Sequence, residues 1–128
     1  MKKILLTGST GFIGSELLKK FSHNNLIFIT LRKKNNLFFN NKNIKKIYFN
    51  NYDELNNSLK KLSIDTVIHC ATHYVKNHEY EDIKKLTESN ILFGNIILEN
   101  LNKMKVKKFI NFSTVWENYN AKKDDCFN

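Results

Sequence analysis

The chain has 128 residues, 41% of them hydrophobic and 26% charged, a balance that indicates one globular domain and excludes a disordered tail. Its net charge is +9, but no nucleic-acid-binding motif accompanies that charge, so we expect no nucleic-acid partner. No apolar run approaches the roughly 18 residues that a membrane helix needs, and the start of the chain has no signal-peptide pattern, which together predict a cytoplasmic protein without membrane contact.

A strand, a glycine turn and a helix open the chain. Lys3–Thr7 is a short apolar run, and three of the four glycines of the chain follow it within seven residues. Apolar side chains then recur at helical spacing, which predicts a helix over Gly11–Phe21. Leu26–Leu31 is a continuous apolar run of the kind that parallel strands covered on both faces require. The first thirty residues therefore predict a βαβ unit.

The rest of the chain continues this alternation of strands and helices. The predicted elements are a loop at Asn35–Asn43, a strand at Ile44–Phe49, a helix at Asp53–Leu62, a strand at Asp65–Cys70, one long crossover helix at Glu79–Lys103, a strand at Lys108–Phe112 and a polar tail at Ser113–Asn128. In the long helix, the inward stripe is expected to contain Ile83, Leu86, Asn90, Phe93 or Gly94, Ile97, Leu101 and Met104.

Strands that alternate with helices predict an α/β fold with a doubly wound parallel sheet. Because crossovers between parallel strands are right-handed, the expected strand order is 3-2-1-4-5. We therefore expect residues 1–128 to form a single Rossmann-like domain whose sheet is incomplete at its carboxyl-terminal side.

The glycine turn between the first strand and the first helix predicts dinucleotide binding. Residues without a Cβ allow a tight turn and close approach to a pyrophosphate, and the following helix directs its free N–H groups at the phosphates. A trio of glycines alone would indicate only a tight turn, but its place in a βαβ unit favours the binding site. The candidate cofactor-binding residues of this turn are Gly8, Thr10, Gly11, Phe12, Ile13 and Gly14.

Arg32, at the end of the second predicted strand, bears on which dinucleotide binds. A carboxylate at this place would favour the ribose of NAD, whereas an arginine accommodates the 2′-phosphate of NADP. Between Leu17 and Tyr52 the chain has eight basic residues and no acidic one. The sequence therefore favours NADP(H), with NAD(H) possible and with a surface position for Arg32 as the alternative. Part of this charge also fits a solvated face that serves solubility.

These motifs together resemble those of the extended short-chain dehydrogenase/reductase family, the nucleotide-sugar epimerases, dehydratases and reductases. Thr7–Gly14 is similar to the family's T-G-x-x-G-F-I-G turn, and Asp65–Ala71 is similar to its D-x-V-I-H-x-A strand. Asn90, Gly94 and Asn95 resemble an N-x-x-G-x-x-N stretch, and Phe109–Thr114 resembles the strand that ends in a Ser/Thr cluster.

The resemblance implies roles for four further residues. Cys70 and Ala71 would lie along the nicotinamide ribose, and Asn90 would support the active site through a buried hydrogen-bond network. Thr114 would be the catalytic hydroxyl that orients the substrate oxygen, although it could instead only cap the turn after its strand. In the family a hydride passes between the nicotinamide and a sugar carbon, with a tyrosine as base and a lysine that lowers its pKa.

The tyrosine and lysine, expected as Tyr-x-x-x-Lys beyond Thr114, have no match at the right place. Tyr80 to Lys84 precedes the fifth strand, and Tyr119 to Lys123 is too close to Thr114 for a helix. We therefore expect an amino-terminal part of the enzyme, truncated before the catalytic helix and the substrate lobe, that binds dinucleotide without turnover. A nucleotide sugar would bind only if missing segments completed the site, and dimerisation is doubtful.

Two alternatives stay open on the sequence: a non-catalytic module that senses NADP(H) or binds a partner, and a decayed fragment without function. Cys70 and Cys126 form no C-x-x-C pair and are expected to be free thiols. His69, His73 and His78 match no common zinc spacing, so we expect no metal site.

Overall fold

The computed structural model describes residues 1–32 and 41–114, and five of its elements are strands of one parallel sheet. The strands are β1 (Lys3–Thr7), β2 (Leu26–Arg32), β3 (Ile44–Phe49), β4 (Thr66–His69) and β5 (Lys108–Asn111). Their order is β3-β2-β1-β4-β5, and each strand runs parallel to its neighbours. The predicted α/β class and the Rossmann-like strand order are confirmed.

Helices cover both faces of the sheet because the central strand is apolar on both sides. The helices are α1 (Phe12–Phe21), α2 (Tyr52–Leu59), α3 (Ile83–Thr87) and α4 (Phe93–Glu99). Successive side chains of a strand point to opposite faces, so Ile4 and Leu6 pack in one core cluster with Leu18 of α1. Leu5 belongs to the other cluster, where it joins side chains of α2 and α4, among them Leu55 and Ile97.

The long helix differs from its prediction in two respects. Helical backbone runs from a 3-10 turn at Tyr80–Asp82 through α3, a π-helical turn at Glu88–Leu92, and α4, which ends at Glu99 rather than at Lys103. The π turn adds a residue to the repeat, so the apolar stripe shifts at that point. Ile83 and Asn90 are accordingly exposed, not inward as predicted, whereas Phe93 and Ile97 are buried.

The end of α4 has a local cause. Asn100 is buried, and its Nδ2 donates to the Ile96 carbonyl at 2.8 Å and to Asn56 Oδ1 at 2.9 Å. Lys105 then adopts the left-handed conformation, with φ at 59°, and the chain turns into β5. Residues 35–40 of the predicted loop and 115–128 of the predicted tail lie outside the described residues. Among residues 1–32 and 41–114, no helix is long and apolar enough to cross a membrane.

Candidate functional site

The glycine turn lies at the carboxyl edge of the sheet, directly after the central strand. Gly8 adopts φ +69°, a conformation that favours glycine, and its carbonyl accepts from the Gly11 N–H at 3.0 Å. A Cβ on Gly8 would lie 2.6 Å from the Ala71 nitrogen, and one on Gly14 would lie 2.1 Å from the Gly8 oxygen. The backbone at Gly8 and Gly14 therefore packs at distances that exclude any side chain.

The amino-terminal end of α1 opens onto this turn. Gly11 is the N-cap residue, no side chain caps the helix, and its first turn has no acidic residue. The first N–H groups of a helix have no partner within the helix, and its dipole makes that end positive. The geometry thus provides N–H donors and a positive field at one place, which suits an anion.

The turn forms one wall of a cleft of about 470 Å³, here called the glycine cleft. Its other walls come from the ends of β2, β3 and β4 and from the helical run. The predicted site residues that line it are Gly8, Thr10, Gly11, Phe12, Ile13, Arg32, Cys70 and Ala71. Gly14 packs beneath the turn against Gly8. Eight of the eleven predicted site residues therefore line one cleft.

Arg32 lies in this cleft with its guanidinium against two aromatic rings. Its carbon Cζ is 5.8 Å from the ring centroid of Phe49 and 5.7 Å from that of Tyr52. Nη2 of Arg32 donates to the Tyr52 hydroxyl at 3.0 Å, and that hydroxyl donates to the Glu88 carbonyl at 2.8 Å. The Arg32 side chain is exposed, which agrees with the alternative prediction of a surface position. It also lines the glycine cleft.

A second cleft of about 530 Å³, here called the threonine cleft, adjoins the first. Ala71 and Thr72 line both clefts, so the loop after β4 separates them. Asn90 and Thr114, the two remaining predicted site residues, line the threonine cleft rather than the glycine cleft.

A buried hydrogen bond joins β1 to β4 next to the loop that separates the two clefts. Thr7 Oγ1 lies 2.7 Å from His69 Nδ1 and accepts from the Ala71 N–H at 3.2 Å. Burial lowers the pKa of His69, so the ring is neutral at neutral pH. A neutral ring that accepts the Thr7 hydroxyl proton at Nδ1 carries its own proton on Nε2, the nitrogen that faces Gly94.

Asn90, in the π turn, holds the loop that divides the two clefts. Its Oδ1 accepts from the His73 N–H at 2.7 Å, and its Nδ2 donates to the His73 carbonyl at 2.8 Å. Asn90 is thus hydrogen-bonded to the loop, but the prediction that it is buried is wrong, because its side chain is exposed. The π turn causes this by rotating Asn90 off the inward stripe.

Sequence reasoning did not identify several residues of the glycine cleft. Phe49 ends β3, and Ser89 and Phe93 come from the helical run. The position of Phe49 at the carboxyl end of a parallel strand was a usable signal, since such ends meet at one edge of the sheet. Tyr52 contacts Arg32 from 20 residues away, and no local pattern indicates that contact.

The remaining predictions concern the tyrosines outside the site, the two cysteines and the absence of a metal site. Tyr80 is 83% exposed and lines neither cleft. Cys70 is a free thiol as predicted, and burial raises its pKa. In residues 1–32 and 41–114, no cluster of three metal-ligating side chains occurs. Cys126 and the pair Tyr119 and Lys123 lie outside the described residues.

Comparison with known proteins connects this geometry to a family. The model of the NAD dependent epimerase/dehydratase family matches residues 4–125. A dTDP-D-glucose 4,6-dehydratase of Dictyostelium discoideum is 36% identical over 126 residues, a match that covers 89% of this chain and 29% of that protein. The chain therefore spans less than a third of this curated relative.

Solved structures share the fold. A short chain dehydrogenase of Leptospira borgpetersenii with bound NAD+ superposes with a TM-score of 0.77 at 18% identity, covering 96% of this chain and 55% of that one. The Bordetella bronchiseptica enzyme WbmH in complex with NAD+ superposes with a TM-score of 0.72 at 24% identity, covering 95% of this chain and 42% of that one. The chain thus spans about half the length of these structural neighbours.

Proposed function

The chain belongs to the NAD-dependent epimerase/dehydratase family, and from this membership we propose that it supplies the dinucleotide-binding domain of a nucleotide-sugar epimerase, dehydratase or reductase. The observation that carries the proposal is the glycine turn. At Gly8 and Gly14 a Cβ would meet backbone atoms at 2.6 and 2.1 Å, and the uncapped end of α1 lies beside them. A pyrophosphate fits such a turn because it needs close backbone approach and N–H donors.

The residues that would hold the dinucleotide divide between its two ends. In the proposed site, Phe12 and Ile13 present backbone N–H groups to the pyrophosphate, and Gly11, whose own N–H donates to the Gly8 carbonyl, allows close approach. Cys70 and Ala71 border the nicotinamide ribose. Thr10 lies in the same wall. When bound, the nicotinamide would accept or donate a hydride, and the residues of this cleft would position it.

NADP(H) is the preferred cofactor in this proposal. Arg32 lies in the glycine cleft with no acidic lining residue beside it among the described residues. A guanidinium suits the planar, doubly charged 2′-phosphate, which NAD(H) lacks. The two solved neighbours named above contain NAD+, so the preference depends on Arg32 and is open to direct test.

The threonine cleft is the proposed place of the sugar. Thr114 follows β5 at the carboxyl edge of the sheet, where doubly wound folds bind ligands, and it shares this cleft with Asn111 and Asn95. We assign Thr114 the orientation of the substrate oxygen by its hydroxyl. The tyrosine base of the family has no counterpart among the described residues of this cleft. We therefore expect this chain alone to bind dinucleotide without turnover, and to do so in the cytoplasm.

Calorimetric titration of the purified chain with NADPH and with NADH tests the proposal. We expect both to bind and NADPH to bind more tightly, by a factor of about ten that Arg32→Ala removes. Lys45→Ala, which removes an exposed positive charge on β3 outside the cleft, is the matched control and should leave the ratio unchanged.

Absence of binding from a chain that is folded by circular dichroism would overturn the proposal and favour a decayed product. Binding that recruits a protein partner only when NADPH is present would favour the sensing module instead. Equal affinities for the two dinucleotides would contradict the preference for NADP(H) while leaving dinucleotide binding intact.

A further inference from the structure

Arg32 is held in place by an aromatic residue that follows β3. Tyr52 begins α2, and its ring lies 6.1 Å from that of Phe49 and 6.2 Å from that of Phe93, centroid to centroid. This packing fixes the ring, and the ring in turn places its hydroxyl 3.0 Å from Arg32 Nη2. The anchor of Arg32 is therefore a side chain fixed by its own packing.

The direction of the hydrogen bonds follows from counting protons. A phenol has one proton, and the Tyr52 hydroxyl donates it to the Glu88 carbonyl at 2.8 Å. Its oxygen is then available only as an acceptor, which suits a guanidinium, a group that can only donate. Burial raises the pKa of Tyr52, and the Glu88 carboxylate raises it further against the opposing effect of Arg32, so the phenol stays neutral.

The neutral phenol of Tyr52 does not compensate the positive charge of Arg32. Within residues 1–32 and 41–114, Arg32 forms no ion pair, and its partners are the phenol and two ring faces. A carboxylate in the place of the phenol would hold the guanidinium equally well but would repel an incoming phosphate. The Glu88 carboxylate acts on the neighbouring phenol, where it raises the pKa of Tyr52, and it forms no ion pair with Arg32.

We propose that Tyr52 is a positioning residue for cofactor specificity, whose hydroxyl holds the Arg32 guanidinium at the glycine cleft ready for the 2′-phosphate of NADP(H). This inference rests on the proposed function. An arginine that is already ordered loses less side-chain entropy when it binds. The hydroxyl should therefore strengthen binding of NADPH without affecting NADH, which has no phosphate at that place.

Tyr52→Phe is the direct test, because it keeps the ring and its packing and removes only the hydroxyl. We expect the Kd for NADPH to rise roughly threefold to tenfold, while the Kd for NADH stays unchanged. The matched control is Tyr48→Phe, which removes an exposed hydroxyl from β3 outside both clefts and should change neither constant.

A double-mutant cycle separates positioning from a structural role. In an Arg32→Ala background, Tyr52→Phe should have no further effect on NADPH binding, because the group that it positions is absent. Glu88→Gln keeps the backbone carbonyl that accepts from Tyr52 and removes the nearby negative charge. That variant should bind NADPH at least as tightly as the unmodified chain.

Three outcomes would overturn the inference. An equal loss of NADPH and NADH affinity in Tyr52→Phe would indicate a structural role, and a full effect of Tyr52→Phe in the Arg32→Ala background would exclude positioning of Arg32. An unchanged NADPH affinity in Tyr52→Phe would remove the role altogether. These results differ from failure of the proposed function, in which the unmodified chain itself would bind neither dinucleotide.

Discussion

The glycine cleft and the threonine cleft adjoin at Ala71 and Thr72, yet their walls are made in different ways. Beneath the glycine cleft, a Cβ on Gly14 would lie 2.1 Å from the Gly8 oxygen, so the packing of the backbone itself fixes the shape of the turn. In the threonine cleft, a Cβ on Gly94 would meet only the His69 side chain, at 3.6 Å. The shape of the glycine cleft is thus set by close backbone packing within one short motif. The shape of the threonine cleft depends instead on side-chain hydrogen bonds between distant segments.

The largest effect is expected from Gly14→Ala, which breaks the glycine cleft. Its Cβ cannot be accommodated without moving the backbone at Gly8, so we expect a loss of stability of about 2 kcal/mol or more and at least about a hundredfold weaker NADPH binding. Thermal unfolding and calorimetry measure both. Gly11→Ala is the milder comparison, because its Cβ would lie 3.3 Å from the same oxygen. Equal behaviour of the two variants would contradict the steric account.

The burial of His69 predicts a pH dependence of stability. Because burial lowers the pKa of His69 below its ordinary value of 6.5, the unfolded chain takes up a proton that the folded chain resists. Stability should therefore be complete above about pH 6.5 and fall as the pH decreases below it, by up to about 1.4 kcal/mol per pH unit.

Urea unfolding between pH 7 and pH 5 measures this slope. His69→Gln should flatten it, because that variant lacks the buried imidazole that resists protonation. A slope that persists in His69→Gln would assign the effect to another group.

A smaller effect is expected from Asn90→Ala, which releases the loop between the clefts. It removes the acceptor for the His73 N–H and the donor to its carbonyl. Because the site is exposed, the expected loss of stability is only about 1 kcal/mol, but exchange of the His73 amide hydrogen should accelerate by about tenfold. Asn95→Ala, in the same cleft, is the control. Unchanged exchange at His73 would show that the loop is held by other contacts.

The smallest effect, with the opposite sign, is expected from Gly94→Ala. Gly94 lies within α4, and the space beside it accepts a Cβ at ordinary contact distance. Alanine should raise the free energy of unfolding by about 0.5 to 1 kcal/mol, because glycine in a helix loses more backbone entropy on folding. NADPH affinity should not change. A destabilised Gly94→Ala variant would indicate that the threonine cleft is sterically as strict as the glycine cleft.

The sequence was informative where structure depends on local pattern. The spacing of Gly8, Gly11 and Gly14 after an apolar strand indicated the turn, and right-handed crossovers indicated the strand order, because both follow from backbone geometry within one βαβ unit. The pairing of Thr7 with His69 was also within reach, since both end neighbouring parallel strands and lie opposite each other in register.

The sequence was uninformative where structure depends on distant contacts. Tyr52 meets Glu88 from 36 residues away, and nothing in either segment indicates the partner. The π turn at Glu88–Leu92 lies inside a regular apolar repeat, so the repeat predicted Asn90 to be inward. A single added residue in a helix changes which face is buried, and local periodicity does not report that change.

The measurement that tests the central claim most directly is an NMR titration of backbone amide signals with NADPH. If the glycine cleft binds the dinucleotide, the largest shifts should occur at Gly11, Phe12, Ile13 and Ala71, and saturation should follow one binding constant. Shifts confined to the exposed basic residues of β3, such as Lys45, would instead indicate nonspecific attraction of an anion, and they would contradict the account.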